Sequence, residues 1–227
     1  MKKQRNFLPW IFGVILVAVI LMTCRFTFVP DQDPNAENSD IAQKISLPEQ
    51  YVIDNWDTKI TPTIHERAVD MSDLIKSAVE DLNKTGVECG SRANETSAWS
   101  FCVKGTAKVI DIEDSEKPNK TKLLLDLEPY DGKVDCKLHY GKVFSSNIKN
   151  SIRDGVGFLK LDDFANQVEF ADLTTAFNNK IKNEIIFDRE AKDYLDKNIS
   201  FFGCISLQNT DPESLVVVPV ELNIMEN

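Results

Sequence analysis

Between Trp99 and Val109 the chain alternates without a fault. Trp99, Phe101, Val103, Gly105, Ala107 and Val109 take the odd positions, and Ser100, Cys102, Lys104, Thr106 and Lys108 the even ones. A period of two held over eleven residues fits a β-strand with one buried and one wet face, and no helix. Such a strand needs partners, and the following sequence offers them. After a polar break from Asp114 to Lys120 come Leu123-Leu-Leu-Asp-Leu127 and a turn signal at Tyr130-Asp131-Gly132. Val134, Cys136, Leu138 and Tyr140 then face one way, and Lys133, Asp135, Lys137 and His139 face solvent. A third strand-like unit follows a Gly-containing bend at Asp154-Gly155-Val-Gly157.

Phe164 to Ile186 has a helical pattern, with Phe170, Leu173, Phe177, Ile181 and Ile185 at steps of three and four. Two late strands, Ile199–Leu207 and Leu215–Leu222, close the chain, and Pro219 implies an edge or a bulge in the last. Strands, a helical insertion, then two strands is the element order of a five-stranded Greek-key barrel of the OB type, in the α+β class; a small sandwich also fits. The barrel domain is expected over residues 95–225, with the helical insertion between strands 3 and 4.

Ahead of it, residues 47–88 read as a helical segment. Tyr51, Trp56, Ile60 and Ile64 recur at helical intervals, with Thr61-Pro62 expected to break or kink the run. Val69, Leu74, Ile75, Ala78 and Leu82 form a second amphipathic stretch, which Asn83-Lys-Thr-Gly86 is expected to stop. Residues 30–46, rich in Asp, Asn and Pro, read as a tether.

Residues 1–29 read as a signal or membrane anchor. Lys2, Lys3 and Arg5 precede the uncharged run Phe7 to Met22, which spans about 24 Å as a helix, and counting on to Val29 reaches the roughly 30 Å of a bilayer core. The basic end is expected in the cytoplasm and the remainder outside it. Three readings stay open: lipidation at Cys24 in Leu21-Met22-Thr23-Cys24, an uncleaved anchor, or plain secretion. Residues 1–29 hold four basic residues and no acid, so the overall −10 less those four leaves −14 on the remainder. A body so acidic is not expected to bind nucleic acid, and it favours tethering over adsorption to anionic lipid.

Export permits disulfides among Cys89, Cys102, Cys136 and Cys204. Cys102 and Cys204 share the outward parity of the first and fourth strands, which adjoin in an OB barrel, so they form a candidate disulfide. Cys136 has inward parity, Cys89 is expected in a loop, and all four as free thiols is the competing reading. The spacing of Cys and His does not fit zinc, and no EF-type calcium loop, phosphate loop or nucleophile motif is present. His65 and His139 read as surface residues. Asp111, Glu113, Asp114 and Glu116 read as a solvated loop. The Asn-x-Ser/Thr triplets at Asn83, Asn94, Asn119 and Asn198 are near chance.

The segment Ser151 to Asp172 mixes Gly bends, aromatic residues and amides in one connection. Its candidate ligand-binding residues are Arg153, Asp154, Asn166, Gln167, Phe170 and Asp172, set to hold a small polar ligand at a barrel mouth. The plainer reading pairs Arg153 with an acid, caps the helix with Asn166 and Gln167, and plugs the barrel with Phe164 and Phe170.

Arg153-Asp154-Gly-Val-Gly157-Phe158, followed by Asp163-Phe164-Ala-Asn166-Gln167-Val-Glu169-Phe170-Ala171-Asp172, resembles a bacterial family of predicted periplasmic lipoproteins, domain of unknown function family 2291. Trp56 with Ile60-x-Pro62, Ala68-Val-Asp70, Trp99-x-Phe101-x-Val103-Lys104-Gly105, Phe201-Phe-Gly203 and Val218-Pro219-Val220 agree, so the resemblance covers about residues 45–225. It implies an OB-like fold and a gene often placed beside sugar-uptake transporters of the ATP-binding-cassette type, and it implies no established activity. The chain departs from the family at Thr23 and in its number of cysteines.

These readings lead to a non-enzymatic accessory protein tethered to the cytoplasmic (inner) membrane with its body on the periplasmic side. It would bind a small solute or a partner among sugar-transporter components, without cofactor or metal. The alternatives are an envelope-glycan enzyme using Asp162, Asp163, Glu169 or Asp172, and a structural envelope scaffold without a concave pocket.

Overall fold

The computed structural model describes residues 47–225, apart from 115, 117–118 and 187–188. The anchor over 1–29, the tether over 30–46 and the candidate lipidation site Cys24 lie outside the described residues. Among those described, no helix is long and apolar enough to cross a membrane.

The chain enters through α1 (Leu47–Asn55), a π-turn (Trp56–Ile60) and α2 (Thr61–Arg67). Pro62 sits in the first turn of α2, where a missing N–H costs nothing, and the widened turn before it absorbs the change of register. The expected kink is therefore a π-turn, and Trp56, Ile60 and Ile64 stay on one buried face across it. A two-residue strand, β1 (Val69–Asp70), precedes α3 (Met71–Cys89), whose N-terminus Asp70 caps by accepting from the Ser72 and Asp73 N–H groups at 2.9 and 3.3 Å.

Gly86 does not stop α3. The interruption falls at Asp81, which adopts φ −158° and ψ 97°, and its carboxylate accepts from the Lys84 N–H at 2.9 Å to start the next turn. Cys89 is consequently the last helical residue rather than a loop residue.

Five strands close the barrel: β2 (Trp99–Glu113), β3 (Lys122–Leu127), β4 (Cys136–His139), β5 (Asn198–Leu207) and β6 (Val216–Ile224). The sheet order β1-β2-β3-β4-β6-β5 returns on itself through a β2–β5 pairing, so β1 adds a sixth, parallel strand outside the closed ring. β2 achieves closure by serving two neighbours. Residues 99–108 pair with β5 and residues 107–113 with β3, with an irregularity between Val109 and Asp111 that bends the strand. The β5–β6 register shifts between Phe202 and Gly203, opposite Pro219, so the proline sits at a bulge as its chemistry requires. Gly105 lies beneath the Phe201 ring, where a Cβ would come within 2.9 Å of it. Phe101, Val103, Ala107 and Val109 from β2 meet Ile199, Phe201, Ile205 and Leu207 from β5 in the core.

Two short stretches correct the expectations from period alone. The bend at 154–157 ends a helix, α4 (Ser151–Gly155), and no strand follows it; the third barrel strand is β4. The connecting helix α5 spans Gln167–Glu184 and packs on α1, with the Trp56 and Phe177 ring centroids 6.2 Å apart. Phe164 and Phe170 do not plug the barrel; they stack at 5.5 Å, with Phe164 also 6.2 Å from Tyr51 of α1.

The outer faces of the strands are drier than alternation suggests. Ser100, Cys102 and Cys204 carry outward parity yet are buried, because α2 and α4 cover the outer side of β2 and β5. On β4, Lys137 and His139 are buried as well. Lys137 Nζ is held at 2.6 Å by both Glu113 and Glu213, and the His139 ring packs 4.4 Å from Phe144. Glu113 is accordingly not a solvated loop acid; it sits on β2 and also binds Lys122. His65 remains a surface residue, 2.9 Å from Glu221 and stacked on Phe202.

Candidate functional site

An open cleft of about 980 Å³ forms where the 91–98 loop, the 146–162 segment, the start of α5 and the 206–214 segment converge. α4 supplies its charged wall. Arg153 and Asp154 are neighbours in one helical turn, and each side chain retains only 10% of its exposure. The Arg153 Nε donates to Asp154 Oδ1 at 2.8 Å and its Nη1 donates to Thr174 Oγ1 at 3.1 Å. The guanidinium carbon lies 4.1 Å over the Phe170 ring. A planar cation clamped by a carboxylate, a hydroxyl and an aromatic face is preorganised, because little rotamer freedom is left to lose on binding.

The supporting contacts come from Ser91, Arg92 and Ser214. Ser91 Oγ donates to the Asp154 carbonyl, and also to that of Gly155 at 3.3 Å. Ser91 is itself held by paired backbone hydrogen bonds with Ser100 at 2.8 and 2.7 Å. Arg92 lies 4.2 Å over the Trp99 ring, which fixes the base of the 91–98 loop to β2. Across the cleft, Ser214 Oγ donates to Asn209 Oδ1 at 2.8 Å and shapes the far rim. Hydroxyl and amide groups from Asn94, Ser97, Asn147, Asn150 and Gln208 also line it, together with Leu159, Lys160, Leu161 and Asp162.

Of the six residues singled out from sequence, Arg153, Asp154, Gln167 and Phe170 line this cleft. Asn166 lies outside the lining and caps α5, its Oδ1 accepting from the Val168 and Glu169 N–H groups at 2.9 and 3.0 Å. Asp172 also lies outside it, exposed on the helix. Among the acids named for a hydrolytic reading, Asp162 lines the cleft. Asp163 accepts from the Lys160 N–H at 2.9 Å, and Glu169 accepts from the Ala165 N–H at 3.3 Å. The Ser- and Asn-rich loop 91–98 and the Asn147–Asn150 turn were legible only as local richness in Ser and Asn, a signal shared with ordinary turns.

The cysteines are placed with equal definition. Cys102 and Cys204 are cross-strand partners on β2 and β5, both as thiols, with their Sγ atoms 3.8 Å apart. Cys136 is buried in β4, and burial pushes its thiol far up, assisted by the Asp135 charge. Among the described residues no group of His, Cys, Asp and Glu is arranged to hold a metal ion.

A closed barrel in this strand order, with a helix between its third and fourth strands, defines an OB-fold body carrying a lateral polar cleft. A crystal structure of an OB-fold protein from Thermotoga maritima superimposes with a TM-score of 0.64 at 16% identity, covering 78% of this chain and 98% of that one. At that identity the likeness speaks for the fold. The chain belongs to the family described as predicted periplasmic lipoprotein (DUF2291), whose model matches residues 14–223. Membership places the protein in the cell envelope. None of the curated proteins matches it.

Proposed function

We propose that the protein is a non-enzymatic accessory (lipo)protein, held at the periplasmic face of the inner membrane, that binds a small polyhydroxylated solute in the cleft beside α4 and serves sugar uptake by an ATP-binding-cassette transporter. The observation that carries this reading is the nearly buried Arg153–Asp154 pair, with Arg153 stacked on Phe170, in a cleft whose lining includes Ser, Asn and Gln side chains. A sugar presents hydroxyls that both donate and accept. A charged pair with flanking Ser, Asn and Gln matches both roles, and an aromatic face suits the C–H side of the ring.

The competing readings have less support. Glycoside hydrolysis needs two free carboxylates facing each other across the bound sugar, roughly 5–9.5 Å apart. Asp154 and Asp162 are the acids that line the cleft, and Asp154 is engaged with Arg153, so no second free carboxylate of the lining faces Asp162; Asp163 and Glu169 are engaged with backbone N–H groups. A purely structural scaffold has no use for a concave polar cleft of this size.

The test is a thermal-shift screen of the purified protein against a panel of mono- and disaccharides. Ligand at a hundred times its dissociation constant stabilises by about 2.7 kcal/mol, which for a chain of this size raises Tm by about 5–10 °C. Arg153→Ala should abolish the shift. A flat response across the panel rules out sugar binding.

A further inference from the structure

The ladder between β2 and β5 sets the relation of Cys102 to Cys204. Val109 N–H donates to Lys197 O at 2.9 Å, one step beyond the Lys108–Asn198 pair. Odd-numbered residues of β2 therefore form the hydrogen-bonded pairs, and even-numbered ones the non-hydrogen-bonded pairs, in which facing side chains come closest. Cys102 and Cys204 are such a pair. Their Cα atoms then lie about 4.5 Å apart, inside the roughly 4.4–6.8 Å range that a disulfide tolerates.

The sulfurs are sealed from solvent. Cys102 keeps 1% of its exposure and Cys204 none. α4 covers them at Gly155, where an added Cβ would lie 2.9 Å from Cys204 Sγ and 3.8 Å from Cys102 Sγ. Cys102 Sγ also contacts the Gly155 carbonyl at 3.3 Å. Cys89, at the end of α3, and Cys136, on β4, contribute no sulfur to this pair.

We infer that Cys102 and Cys204 are joined by a cross-strand disulfide in the exported protein, formed during folding and then sealed beneath α4, while Cys89 and Cys136 remain thiols. The envelope of a periplasmic protein is an oxidising compartment, so the reaction needs only a disulfide-bearing oxidant. The Cys102 thiolate attacks one sulfur of that oxidant, forming a mixed disulfide and expelling a thiolate. The Cys204 thiolate then attacks Cys102 Sγ, closing the bond and expelling the second thiolate. Two thiol protons are released, and the two electrons leave with the oxidant, which is reduced to two thiols. The two cysteines can exchange roles without changing this balance, because the bond forms before α4 seals the pair.

The test uses the full chain extracted from membranes without reductant, alkylated in denaturant and digested. The expected product is one linked peptide pair containing Cys102 and Cys204, two hydrogens lighter than the two thiol peptides, with Cys89 and Cys136 alkylated. Reductant added to the folded protein should leave the link intact, and reductant added in denaturant should release it. Refolding the reduced chain with oxidised glutathione should restore it, and the double variant Cys102→Ser/Cys204→Ser should melt about 5–15 °C lower. Alkylation of all four positions, or a link from either cysteine to Cys89, Cys136 or another chain, overturns the inference. The peptide map decides even if the double variant fails to fold.

Discussion

Burial decides how His139 titrates. Desolvation lowers its pKa from the ordinary 6.5 to about 4; a backbone hydrogen bond at Gly141 opposes the shift and the Lys122 charge adds to it. Its Nε2 is buried with no hydrogen-bond partner, so a proton there would meet no acceptor. Between pH 6.5 and about 4 the unfolded chain binds this proton and the folded chain does not, so stability falls as pH falls through that window. The loss amounts to about 3 kcal/mol at the acid end. Glu113 acts lower: burial raises its pKa, but Lys122 and Lys137 outweigh this and hold it below 4.5. Its contribution is present above the unfolded value and disappears only as pH drops through the lowered one. Urea midpoints measured at pH 7.5 and 4.5 should therefore converge in His139→Leu and stay apart in the wild type; an equal gap in both would refute the assignment. The alternation at 133–140 holds for Cys136, Leu138 and Tyr140, which are buried, and fails at Val134, which precedes β4 and is exposed. It misplaced Lys137 and His139 because parity reports which face a side chain takes, and the partners that bury the outer face, Glu113, Glu213 and Phe144, come from distant sequence.

Whole elements were more legible than their ends. The five barrel strands and α5 each leave an apolar signal in the sequence, whereas β1 does not, its Val69 reading as part of the helix that follows although it pairs with β2; Pro219 announces its own bulge, since a residue without an N–H leaves the same gap in any ladder. Gly86 shows where such signals mislead. A glycine near the end of an amphipathic run resembles a helix stop, yet here it lies within α3 because the Trp99 ring occupies the space a Cβ would fill. Trp99 is further held by its indole N–H donating to Asn83 Oδ1 at 3.2 Å and by Arg92 on its face. Gly86→Ala should gain helix propensity and still destabilise the protein by about 1–3 kcal/mol, because overpacking outweighs propensity. Trp99→Ala alone should destabilise as well. The double variant should cost less than the sum of the two, with a coupling of about 1 kcal/mol. Additive costs in chemical denaturation would mean that the glycine acts through backbone freedom instead.

At the scale of the molecule, the helical layer and the barrel share one core. Val52, Trp56, Ile60, Ile64, Met71 and Leu74 are buried in the same cluster as Phe101, Phe201 and Val217, and the described residues form one compact unit. The OB order was readable because it is a sequence of elements, whereas the cleft was only half readable. Arg153, Asp154, Gln167 and Phe170 lie in one connection, but the 91–98 loop and the 206–214 segment reach the site only through closure of β2 against β5. That closure also brings Ser91 under α4, so the site depends on a tertiary pairing that no local window contains. One shared core predicts one unfolding event. Of the three tryptophans, Trp56 reports on the helical layer and Trp99 on β2. In residues 45–227 produced alone, Trp56→Phe leaves Trp99 as the fluorescent reporter, and Trp99→Phe leaves Trp56. Each variant has its own stability, so fluorescence is compared with far-ultraviolet circular dichroism within the same variant. Coincident urea midpoints and equal slopes in both variants are expected of a two-state unit. A Trp56 transition that precedes loss of the β signal would show that the helices dock on a barrel already able to stand alone. In that case the Arg153 wall, which leans on Thr174 of α5, would loosen before the barrel does.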